Sequence, residues 1–116
     1  MPSIRLRIHL DPGGHIGPGK VELLEQIHSL GSISAAGRAM GMSYRRAWEL
    51  VEETNNIFGK PVAARRIGGR HGGGARLTPL GLALVARFRA IEAAVAESTR
   101  DHIAALQQEV DRPDNP

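Results

Sequence analysis

Residues 32–58, SISAAGRAMGMSYRRAWELVEETNNIF, constrain the fold more than any other stretch. Ser34 offers an N-cap for a short helix through Ala35, Ala36, Arg38, Ala39 and Met40, because a serine hydroxyl can accept from the unpaired amides of a first turn. Gly41 ends that helix, since the chain must turn at positive φ and glycine does so without steric cost. Ser43 then caps a longer helix. On it Tyr44, Ala47, Trp48, Val51 and Phe58 share one face, with Arg45, Arg46, Glu49, Glu52, Glu53 and Asn56 largely off it. Two arginines stand in the first turn, where the macrodipole disfavours positive charge. They do little for the helix and suit an anionic partner. Two helices across a tight turn, the second basic at its start, predict a helix-turn-helix whose second helix enters a DNA groove.

The flanking segments extend this reading. Ile4–Leu10, IRLRIHL, alternates apolar with basic or polar residues and predicts a leading strand with Ile4, Leu6, Ile8 and Leu10 on one side. DPGG at 11–14 is turn chemistry. A helix follows from about residue 18, with Val21, Leu24, Ile27 and Leu30 inward and Gly31 as its stop. After Gly59, a strand at about 62–67, a loop GGRHGGG at 68–74 and a return strand at 75–78 read as a hairpin. From Lys60 to Thr78 the chain carries Lys60, Arg65, Arg66, Arg70 and Arg76 and no acid. A basic hairpin directly after a helix-turn-helix is the arrangement of a winged helix. Thr78 caps the last helix with Pro79 at its first position. Leu84, Phe88, Ile91 and Val95 have coiled-coil spacing; Ile103, Leu106 and Val110 resume it after an offset, which reads as a stutter or a break near Ser98-Thr99. The expected fold is mainly α with a small β component. Residues 1–78 form the winged helix-turn-helix domain, 79–110 a C-terminal dimerisation helix and 111–116 a disordered tail.

Charge distribution supports the same division. Residues 1–78 hold 11 Lys/Arg against 6 Asp/Glu, and residues 79–116 hold 4 against 6. The nucleic-acid face therefore belongs to the first part. The absence of cysteine excludes disulfides, thiol catalysis and thiolate zinc sites. With no signal peptide and no membrane-length apolar run, the expected compartment is the cytoplasm, with no membrane partner. A core with only Trp48, Tyr44, Phe58 and Phe88 as aromatics favours oligomerisation as an added source of burial.

At GSIS 31–34, SYRRAW 43–48, Glu53, Asn55 and GGRHGGGARLT 68–78 the sequence resembles the N-terminal DNA-binding domain of ModE-type, molybdate-responsive bacterial repressors. The resemblance covers roughly residues 4–95. LysR-type regulators are similar through the helix-turn-helix and the threonine opening the last helix. They usually lack the leading strand and the glycine-rich wing, and rank second. The ModE-like resemblance implies a winged helix, a homodimer built through the long helix, and transcriptional control. ModE-type proteins continue into a C-terminal molybdate-binding module, whereas this sequence stops at Pro116. Binding of molybdate or another oxyanion is therefore not expected of this chain alone.

Candidate DNA contacts are Ser34, Arg38, Ser43, Tyr44, Arg45, Arg46, Arg65, Arg70, His71 and Arg76. Arg45 and Arg46 can reach guanine edges or phosphate, and Ser43 can donate to phosphate; which arginine reads bases stays open. The ring of Tyr44 lies on the apolar stripe, so packing and DNA contact are both open to it, while Trp48 is assigned to the core. Adjacent strand residues point to opposite faces, so only one of Arg65 and Arg66 faces the nucleic acid, and the resemblance favours Arg65. GGRHGGG lacks the Gly-Lys-Ser/Thr ending of a phosphate loop and leads into a strand, which argues for a wing carrying Arg70 and His71. The five histidines (His9, His15, His28, His71 and His102) have no metal-ligand spacing, and no nucleophile–base pair emerges. Neither a metal, a cofactor nor an enzymatic activity is expected. Leu84, Phe88, Ile91 and Val95 are expected dimer contacts, because they would otherwise leave an apolar stripe in water. The rival reading is a protein-interaction module whose long helix recruits a separate effector-sensing partner.

Overall fold

The computed structural model describes residues 1–66 and 74–112. In chain order these form β1 (Ile8–His9), β2 (His15–Ile16), α1 (Pro18–Leu30), α2 (Ile33–Ala39), α3 (Tyr44–Phe58), β3 (Ala63–Arg66), β4 (Gly74–Leu77) and α4 (Pro79–Asp111). The expected leading strand is mostly unpaired: only Ile8 and His9 form ladder pairs, antiparallel to Ile16 and His15 across the DPGG turn, with the Leu10 amide donating to the Gly14 carbonyl at 3.0 Å. Its alternation nevertheless holds. Leu6, Ile8 and Leu10 pack against Ile16, Val21 and Phe88, while Arg5, Arg7 and His9 stay exposed. Side-chain burial, not ladder bonding, fixes the direction of this segment.

The start of α2 corrects the capping assignment. Ser32, not Ser34, is the N-cap, and its Oγ accepts from the Ala35 amide at 3.1 Å. Both serines of GSIS suit a cap, and burial decides between them. Ile33, 5% exposed, must already be helical to enter the core beside Ala36. Ser34 lies within the helix and accepts from Arg38 Nη1 at 2.9 Å. Gly41 turns the chain at φ 69°, and Ser43 caps α3 by accepting from the Arg46 amide at 3.0 Å.

Leu23, Leu24 and Ile27 of α1, Ile33 and Ala36 of α2, and Ala47 and Val51 of α3 close the main core with Val62, Ala75 and Leu77. The hairpin pairs Ala63 with Leu77, Ala64 with Arg76, Arg65 with Ala75 and Arg66 with Gly74. The Ala75 amide also donates to the Gly31 carbonyl at 2.8 Å, tying β4 to the end of α1. Asn55, one of the residues carrying the family resemblance, accepts from the Val62 amide at 2.8 Å and fixes the entry to β3.

Thr78 joins the hairpin to α4 with three bonds. Its hydroxyl donates to the Pro61 carbonyl at 2.8 Å and accepts from the Gly81 amide at 3.1 Å, and its own amide donates to the Val62 carbonyl at 3.0 Å. The helix then runs unbroken past Ser98-Thr99. These hydroxyls bond back to the Val95 carbonyl, at 3.2 and 2.6 Å, without disrupting the helix. At 33 residues α4 is about 50 Å long, which accounts for the 67 × 30 × 20 Å extents. It also takes in Asp111, the first residue of the expected tail.

Phe88 departs from expectation. At 1% exposure it fills this chain's own core with Ile16 and Val21, so it is not a free contact for a second copy. The leading segment and β2 cover it, and heptad spacing alone could not reveal that. Leu84 and Val95 are half-buried, whereas Leu82, Ile91, Leu106 and Val110 are exposed. Ile91 of the expected stripe is thus left in water, as are Leu106 and Val110 farther along nearly the same side, while Leu82 stands on another face.

Candidate nucleic-acid interface

α3 projects its first turn into solvent between two flanks. Arg45, its side chain 90% exposed, and Arg46 carry the charge, and both lean on Glu49 at 3.3 and 3.4 Å; Arg46 also approaches Glu53 at 3.8 Å. These exposed pairs are weak. The arginines can exchange Glu49 for a phosphate or a base edge with little loss. Ser43 lies beside them, spending its oxygen on the cap while its hydroxyl proton stays available to donate.

On the hairpin side, Ile33, Ser34, Tyr44, Trp48, Arg65, Gly74 and Ala75 line an open cleft of about 260 Å³. Tyr44 is half-exposed and meets Trp48 edge-on, with ring centroids 6.3 Å apart. The Arg65 guanidinium stacks over the Trp48 ring at 4.8 Å. Trp48 is half-buried: it packs against the main core, as expected, and also lines the rim of this cleft. A stacked guanidinium keeps its outer N–H edge available for an acceptor. Arg65 and Arg66 do separate to opposite faces. Arg65 turns to α3, whereas Arg66 approaches Gly31 and shares its face with exposed Arg76. Arg38 is exposed on α2, held by Ser34. Ser34, Tyr44 and Arg65 thus come together with the start of α3, while neither Arg76 nor Arg38, which is bonded to Ser34, lines that cleft. Arg70 and His71 lie outside the described residues.

On the opposite flank, Arg5, Arg7, His15, Lys20, Arg46 and Glu53 gather around a second cleft of about 530 Å³. Lys20 is buried and donates to the His15 carbonyl at 2.9 Å, with Glu53 at 3.4 Å. The Lys20 ammonium, followed by desolvation and the Arg7 charge, holds the His15 imidazole below its ordinary 6.5. Sequence reasoning missed this flank. The alternation of IRLRIHL puts Arg5 and Arg7 on one face, but only the fold brings that face beside α3. Among the described residues, no three His, Asp or Glu side chains gather as metal ligands.

A three-helix core, a second helix held out by a capped turn, and a hairpin leading into a long helix define a winged helix-turn-helix domain. Structure comparison agrees: a crystal structure of the CbnR DNA-binding domain–DNA complex matches with TM-score 0.57 at 20% identity, covering 75% of this chain and 95% of that one. LysR-family regulators are among the other neighbours. No protein-family model matches the chain. Sequence relatives place the domain more narrowly. The molybdenum-pterin-binding protein MopB of Rhodobacter capsulatus is 48% identical over 85 residues, covering 73% of this chain and 32% of its own length. The transcriptional regulator ModE of Haemophilus influenzae is 33% identical over 107 residues, covering 92% of this chain and 40% of that protein. The chain is thus a homologue of the ModE–MopA–MopB proteins and carries a ModE-like helix-turn-helix domain. It spans about a third of the length of the relatives it matches.

Proposed function

We propose that this chain is a sequence-specific DNA-binding transcriptional regulator, acting as a homodimer on an inverted-repeat operator. The observation that carries the reading is the first turn of α3, where Arg45 and Arg46 stand exposed and are held only by exchangeable carboxylates. Arg65 stacked on Trp48 supports it from the hairpin side, and Ser34, Ser43 and Tyr44 complete the polar edge. Arg38 and Arg76, with Arg70 and His71 of the loop, are assigned to more peripheral backbone contacts. The ModE relatives described as transcriptional regulators give independent support.

α4 exposes Ile91, Leu106 and Val110 at 42%, 69% and 77%, which favours helix pairing with a second copy. Two recognition helices so joined would reach half-sites about one helical turn, roughly 34 Å, apart or a multiple of it. The function is binding, not catalysis, and an oxyanion ligand for these 116 residues forms no part of the proposal. The test is footprinting on a selected operator with Arg45→Ala/Arg46→Ala. Loss of the sequence-dependent footprint with residual salt-sensitive binding is expected; an unchanged footprint would remove α3 from the interface.

A further inference from the structure

α3 has two flanks, and only the hairpin side was foreseen as an interface. The other is built from the segment before β1, the start of α1 and the back of α3. Four cationic side chains, Arg5, Arg7, Lys20 and Arg46, meet there with a single carboxylate, Glu53, and His15. The roles within the cleft are unequal. Lys20 is buried and already committed to the His15 carbonyl and to Glu53. Arg46 reaches Glu49 and Glu53. Arg5 and Arg7 are exposed, and among the described residues neither has a carboxylate within ion-pair distance. The depressed proton affinity of His15 reports the same excess of positive charge. The packing of Leu6 and Ile8 against the Ile16–Val21–Phe88 cluster fixes which way the two arginines point.

We infer that Arg5 and Arg7 form a second backbone clamp, gripping duplex-DNA phosphates on the side of α3 opposite Arg65. A helix lying in the major groove has a phosphate strand along each wall. Cations on both flanks of α3 match that geometry, and phosphate contacts set register without reading sequence. The inference rests on the proposed function and extends it to a face that the helix-turn-helix and wing do not include.

The experiment compares wild type, Arg5→Ala/Arg7→Ala, Arg5→Lys/Arg7→Lys, Arg45→Ala/Arg46→Ala and Arg100→Ala/Arg112→Ala. Each is titrated by fluorescence anisotropy against a selected operator and a scrambled duplex over a salt series. The Arg5/Arg7 alanine pair is expected to weaken both duplexes alike, roughly tenfold, and to lower the salt slope by about two, near one per phosphate contact. The lysine pair should restore most of the slope. Removing the same charge from the far half of α4 should leave it unchanged. A folded Arg5/Arg7 alanine pair with wild-type affinity and slope overturns the clamp, as does a loss confined to the operator, which would mean base reading. If wild type binds neither duplex, the DNA reading falls and takes the clamp with it. If Arg45→Ala/Arg46→Ala loses the operator while the Arg5/Arg7 pair matches wild type, only the clamp falls.

Discussion

Gly81 holds the junction from which the hairpin hangs, and its replacement by alanine tests how tightly that junction is built. A Cβ there would stand 2.1 Å from the Val62 carbonyl oxygen, 3.1 Å from its carbon and 3.3 Å from Leu77 Cβ. Two of these neighbours are backbone atoms. The same oxygen accepts from the Thr78 amide, and the Val62 amide is held by Asn55. Reaching ordinary contact therefore requires a backbone shift of more than an ångström. Overpacking of this kind costs about 1–3 kcal/mol, and loss of the Thr78–Val62 bond adds about 1 kcal/mol. Alanine returns about 1 kcal/mol of helix propensity. The net is a destabilisation of about 2 kcal/mol, a fall of roughly 10 °C in Tm for a domain of this size. Gly19→Ala is the matched control. Nothing lies within 4 Å of its Cβ, so up to about 1 kcal/mol of stabilisation is expected. Thermal melts followed by circular dichroism measure both. A Gly81→Ala protein as stable as wild type would refute the close approach of α4 to β3.

Four further outcomes are expected. Arg89 grips Glu25 through Nε at 3.0 Å and Nη2 at 2.5 Å, joining α4 to α1, and this bonding holds the Glu25 carboxyl below its ordinary 4.5. Stability from the pair is complete above that value and is lost as pH falls through the lowered one. Both groups are more than a third exposed, so Arg89→Ala should remove about 1 kcal/mol or less at pH 7 and flatten the acid limb of a denaturation–pH profile; an unchanged limb would dissociate the pair. Phe88→Ala should cost about 3–5 kcal/mol, whereas Ile91→Glu, at a 42% exposed position, should leave the fold intact and yield monomers by light scattering. A dimeric Ile91→Glu would put the interface elsewhere. Glu49→Gln, releasing Arg45 and leaving Arg46 only Glu53, should raise affinity for scrambled duplex several-fold while narrowing the operator's advantage; unchanged affinity would mean that Glu49 does not compete with DNA.

The helices were legible because their signals are local. Gly41, Ser43, Thr78 and Pro79 sit at boundaries whose backbone geometry demands those residue types, and the structure uses each as expected. Capping at GSIS misled because two serines compete, and the winner is set by burial of Ile33 against distant partners. The leading strand misled differently. Alternation correctly predicts a segment with one face buried, but it carries no information on whether a neighbour supplies a ladder. Phe88 fits a heptad and is nevertheless consumed by the intrachain core, because period alone does not say which apolar surface arrives first. The Arg5–Arg7 flank was hidden for the same reason: its residues are visible in sequence, and its neighbours Lys20, Arg46 and Glu53 belong to other elements.

The central claim, that two copies present α3 to DNA, is tested most directly by selecting duplexes from a random pool with purified protein and then measuring stoichiometry and affinity on the winner at two salt concentrations. The expected result is an enriched inverted repeat bound by two chains, with affinity falling steeply as salt rises. A pool with no enriched motif, or a single chain bound to a lone half-site, would contradict it.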